Sequence, residues 1–494
     1  MNTRRFLEIL PGFASWSALI APVVASFFWP VGVAAFIIFF DTYWLYKSLL
    51  MGGHLVGGYL NMKRDIRIDW EKKYKNVPLE GANLDWRSVY NAIIFTTYKE
   101  SYETLASSIQ SLLDANFPDK KMILVLATEE RDKENAQKIA NGLKVRFGDK
   151  FFEFLVTEHP ADLPGEVKGK GANASWAAKK LRQFLDYKGI DYENVIVSTA
   201  DADTRFHQKY FDCLIYKYIT EPNRVQRSFQ PIPLYSNNIW YTPALNRVVA
   251  FGSSFWQMVE ATRPWRLINF STHAMSMKTL VEINYWAKDV VNEDSRQFWR
   301  AYFTFEGDHK VVPLFTPVSM DAVLAENYWA TLKEQYLQKR RWAYGIEHFS
   351  YVVKECIKHK EIPLWDRMAK TYRLFEANFS WATASLYIMF VAWLPFIFAP
   401  DFRGSVVAYN VPFLARWLLS LTWIGLAISM ALSILLLPQR PKHLRKFKYL
   451  ENVLQWILVP ISSLFFGSFP ALDAQTHLML GKYLTFRVTK KKVT

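Results

Sequence analysis

The chain has 494 residues, 51% of them hydrophobic and 16% aromatic, and a formal net charge of +15 at neutral pH. That is more apolar than a soluble domain requires, so membrane segments are sought before a soluble core. The basic excess gathers beside apolar runs, which argues against a nucleic-acid partner, and two cysteines, Cys213 and Cys356, provide neither a disulfide framework nor a thiolate metal site.

Charge is absent from Ile9 to Phe40, Ala377 to Pro400, Trp417 to Gln439 and Asn452 to Leu472, and each run is long enough to cross a ~30 Å hydrocarbon layer. The first run reads as a hairpin of spans at about 10–28 and 31–50, with Pro30 at the bend and Tyr43, Trp44 and Tyr46 as interfacial anchors. It runs too long for a cleaved leader. Lys63, Arg64, Arg67, Lys72, Lys73 and Lys75 follow the hairpin, and Arg440, Lys442, Arg445, Lys446 and Lys448 follow the span ending near Leu437. By the positive-inside rule this places the polar middle, about 65–363, in the cytoplasm. The spans are read as few and free of deeply placed ionisable groups, which disfavours a transporter.

The middle opens with a strand at 91–98, a helix at 101–115, a strand at 122–127, a helix at 133–147, a strand at 151–156, a helix at 172–187 and a strand at 194–200. This alternation predicts a doubly wound parallel sheet, with ligands beyond the carboxyl ends of its strands. No GxGxxG and no GxxxxGKS occurs, which weakens dehydrogenase and ATPase readings.

Three patterns carry chemistry. Asp201 and Asp203 stand directly after the fourth strand, two hard oxygen ligands suited to Mg²⁺ or Mn²⁺ bridging phosphates, although AspXAsp alone also describes a solvated turn. AsnGluAsp at 292–294 precedes a helical pattern, so Asp294 is either a helix cap or a general base away from the metal. GlnLysArgArgTrp at 338–342 lies on an amphipathic helix from about 324 to 356 and puts Gln338, Arg341 and Trp342 on one face. There Arg341 suits a diphosphate and Trp342 a sugar ring. The bland alternative is an interfacial helix with a tryptophan anchor and snorkelling Lys339 and Arg340.

In this order, AspAlaAsp, AsnGluAsp and GlnLysArgArgTrp resemble the DxD, TED and QxxRW motifs of the processive membrane glycosyltransferases of family 2, the group of bacterial cellulose and hyaluronan synthases. ThrThrTyrLysGlu at 96–100 is similar to the family's ProThrTyrAsnGlu, implying that Thr97 and Glu100 meet the nucleoside, and GlyLysGlyAlaAsn at 169–173 implies donor contact by Lys170. PheArgValThrLysLys at 486–491 resembles the FxVTxK gating loop, implying that Thr489 and Lys491 close over the diphosphate. The resemblance implies a GT-A-type, Rossmann-like cytoplasmic α/β domain with an α-helical transmembrane region. It further implies a nucleotide-sugar donor, by preference a UDP-sugar, bound with Gln338 and Arg341, a metal (Mg²⁺ or Mn²⁺) at Asp201 and Asp203, Asp294 as base and Trp342 under a glycan or lipid acceptor.

The corresponding division is a transmembrane hairpin at 1–51, a basic linker at 52–87, a catalytic domain at 88–323, interfacial helices at 324–370, a C-terminal membrane region at 371–480 and a gating tail at 481–494. Two departures stand out. Where the family has AspAspGly, this chain reads AlaThrGluGluArgAsp at 127–132, so the nucleobase-side carboxylate comes from Glu129, taken here, from Glu130 or from elsewhere; and Asn292 replaces a threonine. A simple crossing by 452–470 would put the tail outside the cell, so 452–480 is expected not to cross, with Pro460 and Pro470 permitting a re-entrant or in-plane path. Rival readings are a non-processive transferase acting on a membrane lipid and a silent nucleotide-sugar sensor or subunit of an export complex.

Overall fold

The computed structural model describes residues 3–78 and 84–489. Among these residues eight strands form one mixed sheet in the order β3-β2-β1-β4-β7-β6-β8-β5. The first four, β1 (Tyr90–Thr96), β2 (Met122–Glu129), β3 (Glu153–His159) and β4 (Val195–Asp201), are parallel. Side chains alternate along them into two cores, as a pleated strand requires. Ile93, Phe95, Leu124 and Leu126 face the helices Tyr102–Leu113 and Lys133–Phe147, whereas Ala92, Ile94, Ile123 and Val125 face Lys170–Lys188. The doubly wound half agrees with the sequence reading.

Beyond β4 the sheet changes character. β7 (His273–Ser276) pairs antiparallel with β4, β6 (Arg227–Leu234) antiparallel with β7, β8 (Lys310–Ser319) parallel with β6, and β5 (Arg205–Phe206) closes the edge antiparallel to β8. The strand order reverses direction between β1 and β4, the switch point at which open α/β sheets bind ligands.

Among the described residues, five helical stretches are long and apolar enough to cross a membrane: Thr3–Phe28, Pro30–Asp65, Leu364–Phe398, Val406–Leu435 and Lys448–Met479. The first two meet at Trp29 and Pro30, where the missing proline N–H interrupts the ladder. The second helix runs to Asp65, past the expected end near residue 50 and into the segment 52–87 expected to be a linker. Its glycines explain this. A Cβ on Gly58 would lie 2.7 Å from the Met258 carbonyl oxygen, so the helix lies directly on the backbone of Ala244–Ala261. Gly58→Leu is therefore expected to lower the thermal unfolding midpoint of the detergent-solubilised protein, with an overpacking cost of about 1–3 kcal/mol; an unchanged midpoint would show that the contact gives way freely.

The expectation of spans without deeply placed ionisable groups does not hold. Asp41 is 5% exposed inside the second helix, and Lys47 pairs with Glu376 across to Leu364–Phe390 at 2.5 Å. The last long stretch is broken by a 3₁₀ turn at Gln455–Leu458 and a π turn at Leu464–Ser468. Two other helices hold this stretch: Arg247, on Ala244–Ala261, donates to Gln455 Oε1 at 2.6 Å, and Tyr336, on Tyr328–Ala343, donates to Asp473 at 3.0 Å.

Candidate active site

A cleft opens at the carboxyl ends of β1, β2 and β4, and most of the singled-out residues meet in it. Thr97, Glu100, Glu129, Lys170, Asp201, Asp203, Asp294, Gln338, Arg341, Trp342 and Thr489 all line it. Lys491 lies outside the described residues. The cleft is built from three layers of local structure, each with a physical reason.

The first is the start of Lys170–Lys188. Gly171 has no room for a side chain, since a Cβ there would stand 2.4 Å from the Ala287 carbonyl oxygen and 2.8 Å from Glu293 Cβ. This close approach brings Lys170 between acidic groups: its Nζ donates to Asp201 Oδ1 at 2.7 Å and to the Ser271 carbonyl at 3.2 Å. Burial works against the ammonium charge, but Asp201, Glu293 and Asp294 outweigh it and hold its pKa above the ordinary lysine value. Asn173 ties the helix to β2 by donating to the Ala127 carbonyl at 2.9 Å.

The second is the AsnGluAsp turn. Asn292 occupies the cap position of the helix Glu293–Thr304, and Asp294 lies inside its first turn. Asp294 is thus not the cap. Its Oδ2 accepts from the Ser271 backbone N–H at 2.7 Å, and its Oδ1 from Ser295 N–H at 2.7 Å, with the helix N-terminus favouring the negative charge. Asn292 donates to the Arg341 carbonyl at 2.9 Å, a link to the GlnLysArgArgTrp helix that a threonine hydroxyl is shorter to make. Glu293 is 6% exposed. Burial, then repulsion from Asp294, pushes its carboxyl up to about 7, with Lys170 and Arg341 opposing. A carboxyl raised in the folded state stabilises the fold fully below its unfolded value, near 4.5, and that contribution is lost as pH rises through about 7. Wild-type protein is expected to lose thermal stability between these limits, and Glu293→Gln to lose less; parallel melting profiles of the two proteins would sink the assignment.

The third is the helix Tyr328–Ala343, where Gln338, Arg341 and Trp342 do share the cleft-facing side. The Arg341 Nε is buried without a hydrogen-bond partner among the described residues, and the guanidinium lies 4.8 Å from the Phe486 ring. Trp342 meets Phe270 edge-to-face at 5.6 Å. Phe486 also fills the space a side chain on Gly169 would take, at 2.7 Å from the ideal Cβ. Arg487 anchors the tail by donating to Glu334 at 2.6 Å.

Asp203 is 6% exposed and its Oδ2 accepts from Asp321 N–H at 3.2 Å, while Asp201 Oδ2 accepts from Ser271 Oγ at 2.8 Å. Among the described residues no cluster of three or more His, Cys, Asp or Glu side chains suits a metal ion. Two carboxylates on one cleft still fit Mg²⁺ or Mn²⁺, which take one or two protein carboxylates and complete the shell with substrate phosphates and water. Glu129, 5% exposed, lines the cleft and accepts from Arg131 Nε at 2.8 Å, whereas Glu130 turns away to the Ala161 N–H at 2.8 Å.

The sequence reading missed Ser271, which touches Asp201, Asp294 and Lys170 at once, from a left-handed backbone position with φ 46°. A serine in a loop offers no pattern to find. It also missed Arg131, Tyr235, Phe270 and Glu293, all on the cleft wall. Only Glu293 carried a signal, its place beside Asp294.

No family model and no curated protein matches the chain. Among solved structures, a mannosyltransferase from Pyrobaculum calidifontis in complex with GDP-Man and Mn²⁺ overlaps 78% of this chain and 98% of its own, at 11% identity and TM-score 0.42. S. aureus TarS 1-349 in complex with UDP-GlcNAc overlaps 82% and 95%, at 11% identity and TM-score 0.36. GalNAc-T7 with UDP, GalNAc and Mn²⁺ overlaps 62% and 57%, at 10% identity and TM-score 0.32. Likeness at this level is too low to assign an activity.

Proposed function

We propose that the chain is a membrane-embedded inverting glycosyltransferase of the family 2, GT-A type, which transfers sugar from a nucleotide-sugar donor, by preference a UDP-sugar, to a growing glycan at the cytoplasmic face. The observation that carries this reading is the convergence of Lys170, Asp201, Asp203, Asp294, Arg341 and Trp342, from distant parts of the sequence, on one cleft at the sheet's switch point.

In this reading Thr97, Glu100 and Glu129 receive the nucleoside at the ends of β1 and β2. Lys170 and Arg341 hold the diphosphate, and the buried Arg341 Nε, unpartnered among the described residues, is a donor in want of an oxyanion. A divalent ion held by Asp201 and Asp203 would neutralise charge on the departing diphosphate. Asp294 takes the proton of an acceptor hydroxyl resting on Trp342; the hydroxyl oxygen then bonds to the anomeric carbon from the face opposite the diphosphate, whose C–O bond breaks. Ser271 N–H fixes the base, and a backbone donor cannot be lost by side-chain rotation.

The cleft encloses about 160 Å³, less than the ~300–1,000 Å³ of ligand pockets. Phe486, Val488 and Thr489 line it, so donor entry requires the tail to shift, as a gating segment would. In this reading Thr489 follows the diphosphate, and the same role is proposed for Lys491, which lies outside the described residues. A tail at the catalytic cleft is compatible with four crossings, by 3–28, 30–65, 364–398 and 406–435, and with an in-plane path for 448–479 despite its length.

The test is a screen of radiolabelled UDP-sugars and one GDP-sugar with purified protein in lipid vesicles and Mg²⁺ or Mn²⁺. A large labelled product establishes the polymerase and names its donor. A lipid carrying one or two sugars replaces it with the non-processive transferase, and nucleotide binding without turnover replaces it with a silent sensor.

A further inference from the structure

Lys339 has no role in the mechanism above and does not line the cleft, although it sits in the helix between Gln338 and Arg341. Its Nζ donates to Ser253 Oγ at 3.1 Å, on the helix Ala244–Ala261. It also lies 4.7 Å from the centre of the Trp342 ring and 5.7 Å from that of Trp381, on the membrane-length helix Leu364–Phe390. No carboxylate pairs with it among the described residues, and burial alone lowers its ammonium to about 8. The neighbouring Arg340, by contrast, pairs with Asp473 at 3.2 Å.

A buried ammonium needs a counter-charge or a full set of acceptors. One hydroxyl and two indole faces supply neither, although the indoles lend cation–π attraction. The described residues thus hold a cation between the wall of the cleft, at Trp342, and the membrane-length helix of Trp381 without supplying its anion. The Trp381 side of the arrangement is itself specialised. The Trp381 carbonyl accepts from Ser468 Oγ at 3.1 Å, and Ser468 ends the π turn Leu464–Ser468, an irregularity that recurs at functional sites.

Indole faces stack on sugar rings, and a lysine, unlike an arginine, is a point charge that imposes no fixed fork on its partner. That suits a chain whose units move past the site. We propose that Lys339, flanked by Trp342 and Trp381, is an acceptor subsite for a carboxylate-bearing sugar, so that the acceptor is an acidic glycan containing uronic-acid units. This rests on the transferase reading. A lipid phosphate would satisfy the charge but would leave the second indole without a ring to stack on, so the acidic sugar is favoured.

The test uses the full chain in nanodiscs of neutral lipid and equilibrium binding of three probes: a fluorescent uronic-acid tetrasaccharide, its carboxyl-reduced neutral counterpart, and a polyprenyl phosphate. The acidic tetrasaccharide is expected to bind about tenfold tighter than the neutral one, the scale of one charged hydrogen bond. Lys339→Met should bring the two within about twofold, and Lys339→Arg should restore a preference. Equal binding of the acidic and neutral probes to wild type overturns the proposal, as does a preference that survives Lys339→Met. Competition by the polyprenyl phosphate alone overturns it too, since it assigns the charge to a lipid. Binding of UDP and GDP in the same preparations reports separately on the transferase reading and on the folding of each variant. A protein that binds nucleotide but ignores the carboxylate loses only the subsite; one that prefers the acidic glycan but binds no nucleotide keeps the subsite and loses the transferase.

Discussion

Asp294→Asn is expected to lower sugar transfer by about a thousandfold while leaving nucleotide binding close to that of wild type. General base catalysis contributes roughly 10²–10⁴-fold, and an amide cannot accept the proton of the acceptor hydroxyl. The substitution is nearly isosteric, and the side-chain oxygen can still accept from the Ser271 N–H that Asp294 Oδ2 meets at 2.7 Å. Fold and donor site should therefore survive. Steady-state transfer, measured with binding of the nucleoside diphosphate to the same preparation, separates the possibilities. If transfer falls and binding stays, Asp294 acts on the acceptor; if both fall together, it belongs to the donor site. If neither changes, the base is another group, and Glu293, held near 7 in the same cleft, is the first to test.

The parallel half of the sheet was legible because its strands are buried on both faces and read as unbroken apolar runs. Ala92 to Phe95 and Met122 to Ala127 are wholly inaccessible. The other half was not. Pro231 and Pro233 interrupt β6, and Pro313 and Pro317 interrupt β8; prolines lack the ladder donor and argue against a strand on sequence grounds. The structure absorbs them with a register shift between Pro231 and Ile232, a contact property that no local pattern announces. The glycine-rich stretch after residue 51 misled in the same way. The segment reads as a basic linker from its lysines and arginines, yet Gly58 lets the helix Pro30–Asp65 lie directly against Met258 of Ala244–Ala261, as small residues do between packed helices.

Of the cleft, the charged residues with fixed spacing were visible and their supports were not. Asp201, Asp294 and Arg341 belong to patterns, whereas Ser271 and Phe270 come from an irregular loop before β7 and acquire meaning only through what the fold places beside them. Asn292 is intermediate. The sequence marked it as a departure, and the structure gives the departure content, since its amide reaches the Arg341 carbonyl.

Lys170→Met is expected to damage both stability and catalysis, and for one electrostatic reason. The Lys170 side chain is 11% exposed and is the nearest cation to Asp201, with Glu293 and Asp294 adding to its charge stabilisation. Removing one partner of a buried pair costs about 3–5 kcal/mol because the remaining charge loses its compensation. Asp201 keeps 36% of its side chain exposed and stays partly hydrated, so the low end, about 3 kcal/mol, is the expected loss. Donor binding should weaken as well, since the same ammonium faces the diphosphate in the proposed mechanism. A second substitution distinguishes this from a simple packing defect. Glu293 still ionises above neutral pH, where without Lys170 its charge adds uncompensated repulsion, and making it permanently neutral should there relieve the surviving carboxylates. Lys170→Met combined with Glu293→Gln is therefore expected to recover about 1 kcal/mol of the stability lost by Lys170→Met alone, within the range found for contacting residues, without recovering donor affinity. Thermal unfolding of the four proteins of this cycle, with nucleotide binding on each, measures the coupling directly. Strict additivity would mean that Lys170 compensates Asp201 alone and that Glu293 is held neutral by burial, independent of the lysine beside it.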